Sequence, residues 1–363
     1  MHHFLYGFNN NDPEGMIQEL KEKQIDTVIT GNPTPEIAAL LKEAGIDLYH
    51  CSGALTLNPN LTHDCAAQNT ASEPTQWFRS GCPNDPDLAN FHFDRAAEKA
   101  ASVPGLKGVM LDGARFASFA SAEGKEAFFT CFCPRCMEKM TRLGYDARAI
   151  RAMAAHLKEH RQLKSGDEAA FLDWLSFREQ CAEDLFALFA QKIRKVNPDL
   201  LVGAFVFAPS LGRFVGQTPK AYAMLDVILP MLYRDYPHPD GPACLGHEWA
   251  AFYELFGENA PKLLDCAGID PSLIPQTKDP KALLDAGFAP ERIGTEVAVA
   301  RKTIPQTLWP ILQIEDAKAA ESARHALANG ADGVGYFAYG RDQIPALSHI
   351  CSHNGKETCD YEN

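Results

Sequence analysis

Strand-like and helix-like segments alternate along almost the whole chain, and this alternation limits the folds that it can adopt. Short apolar runs at residues 4–8, 25–30 and 46–50 are separated by amphipathic segments that begin with helix-capping residues. Asp12-Pro13 and Thr34-Pro35 are two such beginnings, because an acceptor side chain followed by proline commonly opens a helix. Strands that alternate with helices predict an α/β fold with a parallel sheet.

Eight strands can be assigned in this way. The later candidates are residues 106–112, 201–207, 227–232, 309–313 and 333–338, with residues 293–300 competing for the seventh place. Residues 51–92 and 113–196 interrupt the alternation as enlarged loops after strands three and four, and connections of such length are usually functional. We predict a single (β/α)₈ TIM barrel at residues 1–345 and a C-terminal tail at 346–363. An open doubly wound sheet is the main alternative, but no glycine-rich dinucleotide fingerprint follows the first strand.

Composition and charge argue against a nucleic-acid or membrane partner. The formal net charge is −13, whereas nucleic acids and anionic membranes attract basic patches. No apolar run reaches the roughly 18 residues of a membrane span, and no secretory signal opens the chain. The eleven cysteines are an odd number in a large chain, which favours reduced thiols. We therefore expect a cytoplasmic protein without a nucleic-acid or membrane partner; a homo-oligomer is compatible with this composition.

Three cysteines form a cluster with the spacing C-x-C-x-x-C: Cys131, Cys133 and Cys136. Tetrahedral zinc requires four ligands, with sulfur about 2.3 Å from the ion. We predict Cys82 as the fourth ligand, because its loop leaves the same end of a neighbouring barrel strand. Cys65 and His63 are the alternatives. A structural zinc is expected, since an all-thiolate site leaves no open coordination position.

The region around these cysteines resembles the zinc-containing β-galactosidases of glycoside hydrolase family 42. The resemblance covers about residues 78–146 and rests on C-P-N-D-P, a strand-end acid, C-F-C-P-R-C-M-E-K and a downstream L-G-Y-D. In that family a Cys-Pro-Asn segment and a C-x-C-x-x-C loop form one zinc site beside the catalytic centre, which implies the same role for Cys82 and the clustered trio. Family members are longer and end their fourth strand in Asn-Glu, whereas this chain has Leu111-Asp112-Gly113. Galactose specificity is therefore not implied.

Acids at predicted strand ends are the candidate catalytic residues, because the active site of a TIM barrel lies at that end of its strands. Asp112 ends the fourth strand, and we expect it to act as nucleophile or base. Glycoside hydrolysis needs a second carboxyl group that donates a proton. Asp235 after strand six and Glu315 after strand seven both qualify, and the sequence does not separate them. Glu315-Asp316 also lies where a helix begins, a position at which acids are common.

Other polar and aromatic side chains at the same strand ends suit a polyhydroxylated ligand. The predicted substrate-binding residues are Asn9, Asn10, Arg115, Tyr233, Arg234, Gln313, Tyr336 and Tyr339. The two arginines either neutralise the neighbouring acids or bind the carboxylate of an acidic sugar. The sequence thus predicts a glycoside-hydrolase-like enzyme that acts on a small oligosaccharide or glycoside. The alternatives are a sugar or sugar-acid isomerase, lyase or aldolase, and a barrel that only binds carbohydrate.

Overall fold

A single parallel sheet forms the centre of the molecule. The computed structural model describes residues 2–61, 64–75, 77–234 and 243–338. In these residues the sheet has the strand order β7-β6-β5-β4-β3-β2-β1-β9-β8, with every pairing parallel. The strands are β1 His2–Tyr6, β2 Thr27–Thr30, β3 Asp47–Gly53, β4 Gly108–Asp112, β5 Leu201–Val206, β6 Val227–Pro230, β7 Thr307–Leu308, β8 Ile311–Gln313 and β9 Gly333–Phe337.

Strands β7 and β8 are two halves of one barrel strand, and they close the sheet. β7 pairs with β6, while β8 pairs with β9 on the other side. Pro310 lies between the halves and has no N–H for the ladder. The backbone N–H of Trp309 donates to Ile228 O, and that of Leu232 donates to Ile311 O, both at 2.9 Å. The sheet is therefore continuous across this break, which confirms the predicted (β/α)₈ barrel.

Helices surround the barrel and fill its enlarged connections. They are α1 Pro13–Glu22, α2 Pro35–Ala44, α3 Pro86–Ser102, α4 Ala122–Ala127, α5 Pro134–Arg142, α6 Ala147–His160, α7 Glu168–Val196, α8 Leu245–Phe256, α9 Ala260–Cys266, α10 Pro280–Ala286, α11 Glu291–Arg301 and α12 Ala319–Ala328. The predicted caps form: Asp12 accepts a bond from Gly15 N at 3.1 Å, and Thr34 accepts one from Ile37 N at 3.2 Å. No helix in the described part of the chain is long and apolar enough to cross a membrane.

One competing strand assignment is wrong. Residues 293–300, considered for the seventh strand, lie within α11. The buried Ile293, Val297 and Ala300 recur at the i, i+4, i+7 spacing of a helix face, so the apolar run is explained by a helix packed on the barrel. The proposed tail at residues 346–363 lies outside the described residues.

Two apolar layers flank the strands, because successive side chains point to opposite faces. Leu5, Val28 and Leu48 belong to the outer layer between strands and helices, whereas inward-pointing side chains fill the barrel. Trp309 lies in this inner layer, with its ring centroid 5.5 Å from that of Phe4 and 5.9 Å from that of Tyr49. The long connections after β3 and β4 extend the inner layer beyond the strands, with α4–α7 in the second connection.

Gly335 makes room for Phe4 inside the barrel, and this contact gives a test of the inner packing. A Cβ on Gly335 would overlap the Phe4 ring. We expect Gly335→Ala to lower the free energy of unfolding by about 1–3 kcal/mol, measured in urea. Phe4→Leu should relieve part of that loss in the double variant, because the two sites share one space. Gly31→Ala is the control, since its Cβ would meet only the Cys51 carbonyl at 3.9 Å. An unchanged stability of Gly335→Ala would contradict this packing.

Candidate active site and metal centre

The alternation of side chains decides which strand-end residues face the mouth of the barrel. On β4, Met110 belongs to the inner layer and Leu111 to the outer layer, so Asp112 faces inward at the end of the strand. Tyr6 ends β1 and packs against the inner layer. Gln313 follows the outward Leu312 by one residue and also faces inward. These side chains meet at the end of the barrel where enzymes of this fold place their active sites.

Asp112 is partly accessible but lies in a poorly solvated environment. Desolvation raises its pKa above that of an ordinary aspartate, and three groups oppose this shift: the Arg115 cation, the Gly113 N–H and the Tyr6 hydroxyl. Burial also raises the pKa of Tyr6, which therefore remains a neutral donor. The Tyr6 hydroxyl lies 3.1 Å from Cys51 Sγ. Cys51, Tyr6 and Asp112 thus form a short hydrogen-bonded chain, and Asp112 keeps its proton to a higher pH than a solvated aspartate.

Arg115 is held between two aromatic rings at the mouth. Its guanidinium carbon lies 4.6 Å from the ring centroid of Trp77 and 4.7 Å from that of Phe207. The side chain is buried, and burial lowers its pKa, while the charges of Glu248 and Asp112 oppose that shift. Stacking fixes the plane of the guanidinium.

Glu248 is a buried acid that the sequence did not indicate. It lies in the first turn of α8, where an acid is ordinarily an exposed partner of the helix dipole. Its carboxylate accepts bonds from Ser118 Oγ at 2.6 Å, Phe119 N at 2.8 Å and Ala243 N at 3.1 Å. Burial raises its pKa, and these bonds together with Arg115 oppose the rise. Glu248 therefore ties the connection after β4 to α8.

Two side chains at the end of the seventh barrel strand each have a buried polar atom without a hydrogen-bond partner among the described residues. Gln313 Oε1 accepts a bond from Ile314 N at 2.8 Å, but Nε2 is buried without a hydrogen-bond partner in the part of the chain that the structure describes. Glu315 Oε2 is likewise buried with no partner among these residues. Buried polar atoms normally find partners, so both atoms are available to a ligand.

Arg234 and Asp316 form a bidentate ion pair with each other. Arg234 Nε donates to Asp316 Oδ2 at 2.9 Å, Nη2 donates to Oδ1, and Nη1 donates to Phe288 O at 3.0 Å. Such a bidentate pair is the strong form of an arginine–carboxylate contact. Arg234, predicted to bind substrate, therefore joins the ends of the sixth and seventh barrel strands.

Of the remaining predicted substrate-binding residues, some lie at the mouth of the barrel and others do not. Tyr233 is buried at the mouth, with its ring centroid 5.6 Å from that of Phe337. Tyr336 instead lies in the outer layer, because alternation along β9 turns it away and places Phe337 inward. Asn9 and Asn10 lie in the turn between β1 and α1. Asp235, Tyr339 and the alternative zinc ligand His63 lie outside the described residues.

Four buried cysteines come together beside the mouth: Cys82, Cys131, Cys133 and Cys136. All four sulfurs lie within 4.8 Å of one another. Cys82 Sγ is 3.4 Å from Cys136 Sγ and 3.6 Å from Cys133 Sγ. Sulfurs about 2.3 Å from a tetrahedral ion would lie about 3.8 Å apart. The cluster could therefore hold a metal ion after small adjustments.

Hydrogen-bond donors surround the sulfurs. Asn84 Nδ2 donates to Cys136 Sγ at 3.1 Å, and Asn84 N donates to Cys82 Sγ at 3.4 Å. Lys139 Nζ donates to Asn84 Oδ1 at 2.6 Å and so orients its amide. The alternative ligand Cys65 contributes its backbone carbonyl, which accepts from Cys82 N at 2.7 Å. Donors directed at sulfur favour the thiolate form that metals require.

Arg178 fixes the chain that leads into the cysteine loop. This side chain of α7 is fully buried and donates to three backbone carbonyls: Phe128 O, Thr130 O at 2.9 Å and Phe214 O at 2.6 Å. Its guanidinium carbon lies 3.8 Å from the ring centroid of Trp174. Arg178 therefore positions the segment immediately before Cys131, within the same connection that carries Arg115.

Comparisons with known proteins identify the fold. No family model and no curated protein sequence matches the chain. Its structure is similar to a β-galactosidase from Rahnella sp. R3, with a TM-score of 0.58 and 13% identity over 95% of this chain and 55% of the other. It is also similar to a β-galactosidase from Bacillus circulans sp. alkalophilus, with a TM-score of 0.51 and 13% identity over 93% and 50% of the two chains.

A catalytic mutant of a family 42 β-galactosidase from G. stearothermophilus gives a TM-score of 0.57 and 12% identity over 92% of this chain and 51% of the other. The chain thus spans about half the length of these solved structures. It has the α/β barrel fold that they contain, and the cysteine motif resembles the same family. At such identity the likeness shows the fold alone.

The four-cysteine cluster predicts metal binding that depends on each sulfur. Cys136→Ser is expected to lose stoichiometric metal and to melt at a lower temperature, because three thiolates no longer close the site. Asn84→Ala should keep the metal with about 10–100-fold weaker affinity, as for other groups that support metal ligands. Cys266→Ser, on α9 outside the cluster, is the matched control. Metal analysis and melting with and without chelator measure these effects; a wild-type protein that binds no metal would refute the assignment.

Proposed function

We propose that this chain is a glycoside-hydrolase-like enzyme that cleaves a small oligosaccharide or glycoside with two carboxyl groups. The observation that carries the proposal is the environment of Asp112, an inward-facing carboxyl at the end of β4 whose pKa is raised by desolvation. Glycoside cleavage requires an acid whose pKa is raised above that of an ordinary carboxyl group, so that it can donate a proton. The barrel fold shared with β-galactosidases supports the same class of reaction.

The environment of Asp112 favours the role of proton donor over the role of nucleophile or base expected from sequence. Asp112 would give its proton to the oxygen of the departing group as the glycosidic bond breaks. A second, ionised carboxylate would then attack the sugar carbon or activate a water molecule. Glu315 is our preferred second group, because its Oε2 is buried without a partner among the described residues. Asp235 remains the alternative.

Aromatic and amide groups at the mouth would bind the sugar. The ring centroid of Tyr6 lies 5.2 Å from that of Phe337, which in turn lies beside Tyr233. Such rings can pack against sugar C–H faces. Gln313 Nε2, a donor without a partner among the described residues, suits a sugar hydroxyl. Asn9 and Asn10 lie farther out, in the turn after β1, and would contact a more distant unit of the substrate.

Zinc is the metal that we propose for the four-cysteine cluster. Cys82, Cys131, Cys133 and Cys136 supply four sulfurs, which is a complete set for tetrahedral zinc. With no open position the ion would brace the loops and take no part in bond cleavage. No cysteine in the described residues forms a disulfide, which fits a reducing cytoplasm. The substrate there would be an imported short glycoside.

Asp112→Asn tests the role of the acid through the leaving group. A disaccharide needs protonation of its departing oxygen, whereas p-nitrophenolate leaves readily without it. We therefore expect kcat for a disaccharide to fall by about 10²–10⁴-fold, and turnover of the matched p-nitrophenyl glycoside to fall much less. The control is Asp265→Asn, at an exposed position. Equal losses on both substrates would make Asp112 the nucleophile. Turnover of no glycoside in a broad panel would favour a barrel that only binds carbohydrate.

Tyr6→Phe tests the same assignment through the pH profile. The Tyr6 hydroxyl lowers the pKa of Asp112 by donating to its ionised form. Its removal should raise that pKa, so the protonated acid should persist to higher pH and the alkaline limb of kcat/KM should move upward. Tyr222→Phe, a buried tyrosine of the outer layer, should leave the limb unchanged. A downward or absent shift in Tyr6→Phe would contradict the role of Asp112 as acid.

A further inference from the structure

Arg115 is a buried cation whose hydrogen-bonding capacity is largely unused. Only 7% of its surface is exposed, yet its one hydrogen bond within the described residues is a long contact of 3.4 Å from Nη1 to Phe116 O. Two other arginines make more hydrogen bonds: Arg178 donates to three backbone carbonyls, and Arg234 donates to both oxygens of Asp316 and to Phe288 O. Arginine offers five N–H donors, so Arg115 retains most of its donors for a ligand.

The neighbouring acids do not neutralise Arg115 by direct contact. In the residues that the structure describes, no carboxylate oxygen lies within 4.0 Å of its guanidinium. Both oxygens of Glu248 accept bonds from other groups, at Ser118, Phe119 and Ala243. Asp112 is bound by Tyr6 and the Gly113 N–H. A buried charge without a bonded counter-ion is costly, and an anionic ligand would remove that cost.

Arg115 lies at the mouth where the proposed substrate would bind. It contacts Phe207, which directly follows β5 and belongs to the inner layer, and its charge interacts with Asp112 and Tyr233 at the ends of β4 and the sixth barrel strand. Trp77, from the connection after β3, also packs against the guanidinium. Three neighbouring strands and one loop therefore direct the guanidinium toward the sugar site.

We propose that the substrate is a glycoside of an acidic sugar, and that Arg115 binds the sugar carboxylate. This inference rests on the proposed function for the nature of the ligand. A planar carboxylate matches the paired N–H groups of a guanidinium, which two aromatic rings already hold in one orientation. A neutral sugar would leave the same cation buried without a counter-ion. Arg115 is thus the residue that distinguishes uronides from neutral glycosides.

Kinetics on matched substrates measure the preference of the metal-loaded protein for uronides over neutral glycosides. The pairs are p-nitrophenyl glucuronide against glucoside and p-nitrophenyl galacturonide against galactoside, each in both anomeric forms. For the pair that the protein accepts, we expect kcat/KM for the uronide to exceed that for the neutral glycoside by about tenfold or more, because hydrogen bonds to a charged group contribute that much. Arg115→Lys keeps the charge but loses the planar fork and should lower the ratio, and Arg115→Gln should abolish it. Arg142→Gln, at an exposed position, should leave it unchanged.

Equilibrium binding separates failure of this inference from failure of the proposed function. Free glucuronate and galacturonate are titrated against glucose and galactose by calorimetry. Uronate binding that Arg115→Gln removes, without turnover of any glycoside, would support the carboxylate site and overturn the hydrolase. Cleavage of a neutral glycoside as fast as its uronide, with no preference for uronate in binding, would overturn the inference and leave the hydrolase. The wild-type comparison decides the matter even if the Arg115 variants fail to fold.

Discussion

The four-cysteine cluster joins the connections after β3 and β4, and a metal ion bound there would hold together the two segments that form one side of the mouth. Cys82 comes from the connection after β3, and Cys131, Cys133 and Cys136 come from the connection after β4. The same connections supply Trp77 and Arg115, which stack on each other. Contacts between thiols 3.4–3.6 Å apart contribute little to stability by themselves. A metal ion that binds only the folded state would add its binding free energy to stability. A metal ion in this cluster would thus stabilise the site without forming part of it.

The proposed chemistry falls to a different set of groups, the carboxyl groups at the mouth, and desolvation is the largest cause of their pKa shifts. Asp112 lies at a barrel end where Cys51 and Tyr6 replace water as its neighbours. Desolvation there exceeds the opposing effect of Arg115, so the pKa of the carboxyl group lies above that of a solvated aspartate. Glu248 experiences the same desolvation but accepts three hydrogen bonds, which assigns it to holding the connection in place. Two acids close to one arginine thus differ in their hydrogen bonds, and this difference is the reason for proposing different roles for them.

Periodicity predicted the barrel, because every strand was followed by a recognisable helix or a long connection, and the cysteine spacing predicted a metal-binding loop. The sequence did not show which side chains of each strand point into the barrel and which point outward. A strand buried on both faces is apolar throughout, so Gly333–Phe337 did not reveal that Phe337 rather than Tyr336 points inward. Long-range partners were equally hidden: Arg234 and Asp316 are distant in sequence, and Glu248 looks like an ordinary acid in a helix turn. The break of the seventh strand at Pro310 could have been anticipated, since proline interrupts a ladder.

The electrostatics of the mouth connect the substrate to the acid that would cleave it. The Arg115 cation lowers the pKa of Asp112, against the effect of desolvation. A sugar carboxylate bound to Arg115 would offset that cation and exclude water from the same space, and both effects raise the pKa of Asp112. An acidic substrate would therefore increase the population of the protonated donor on which its own cleavage depends. A neutral sugar would leave the charge of Arg115 acting on Asp112, so the residue that selects the substrate would also adjust the acid.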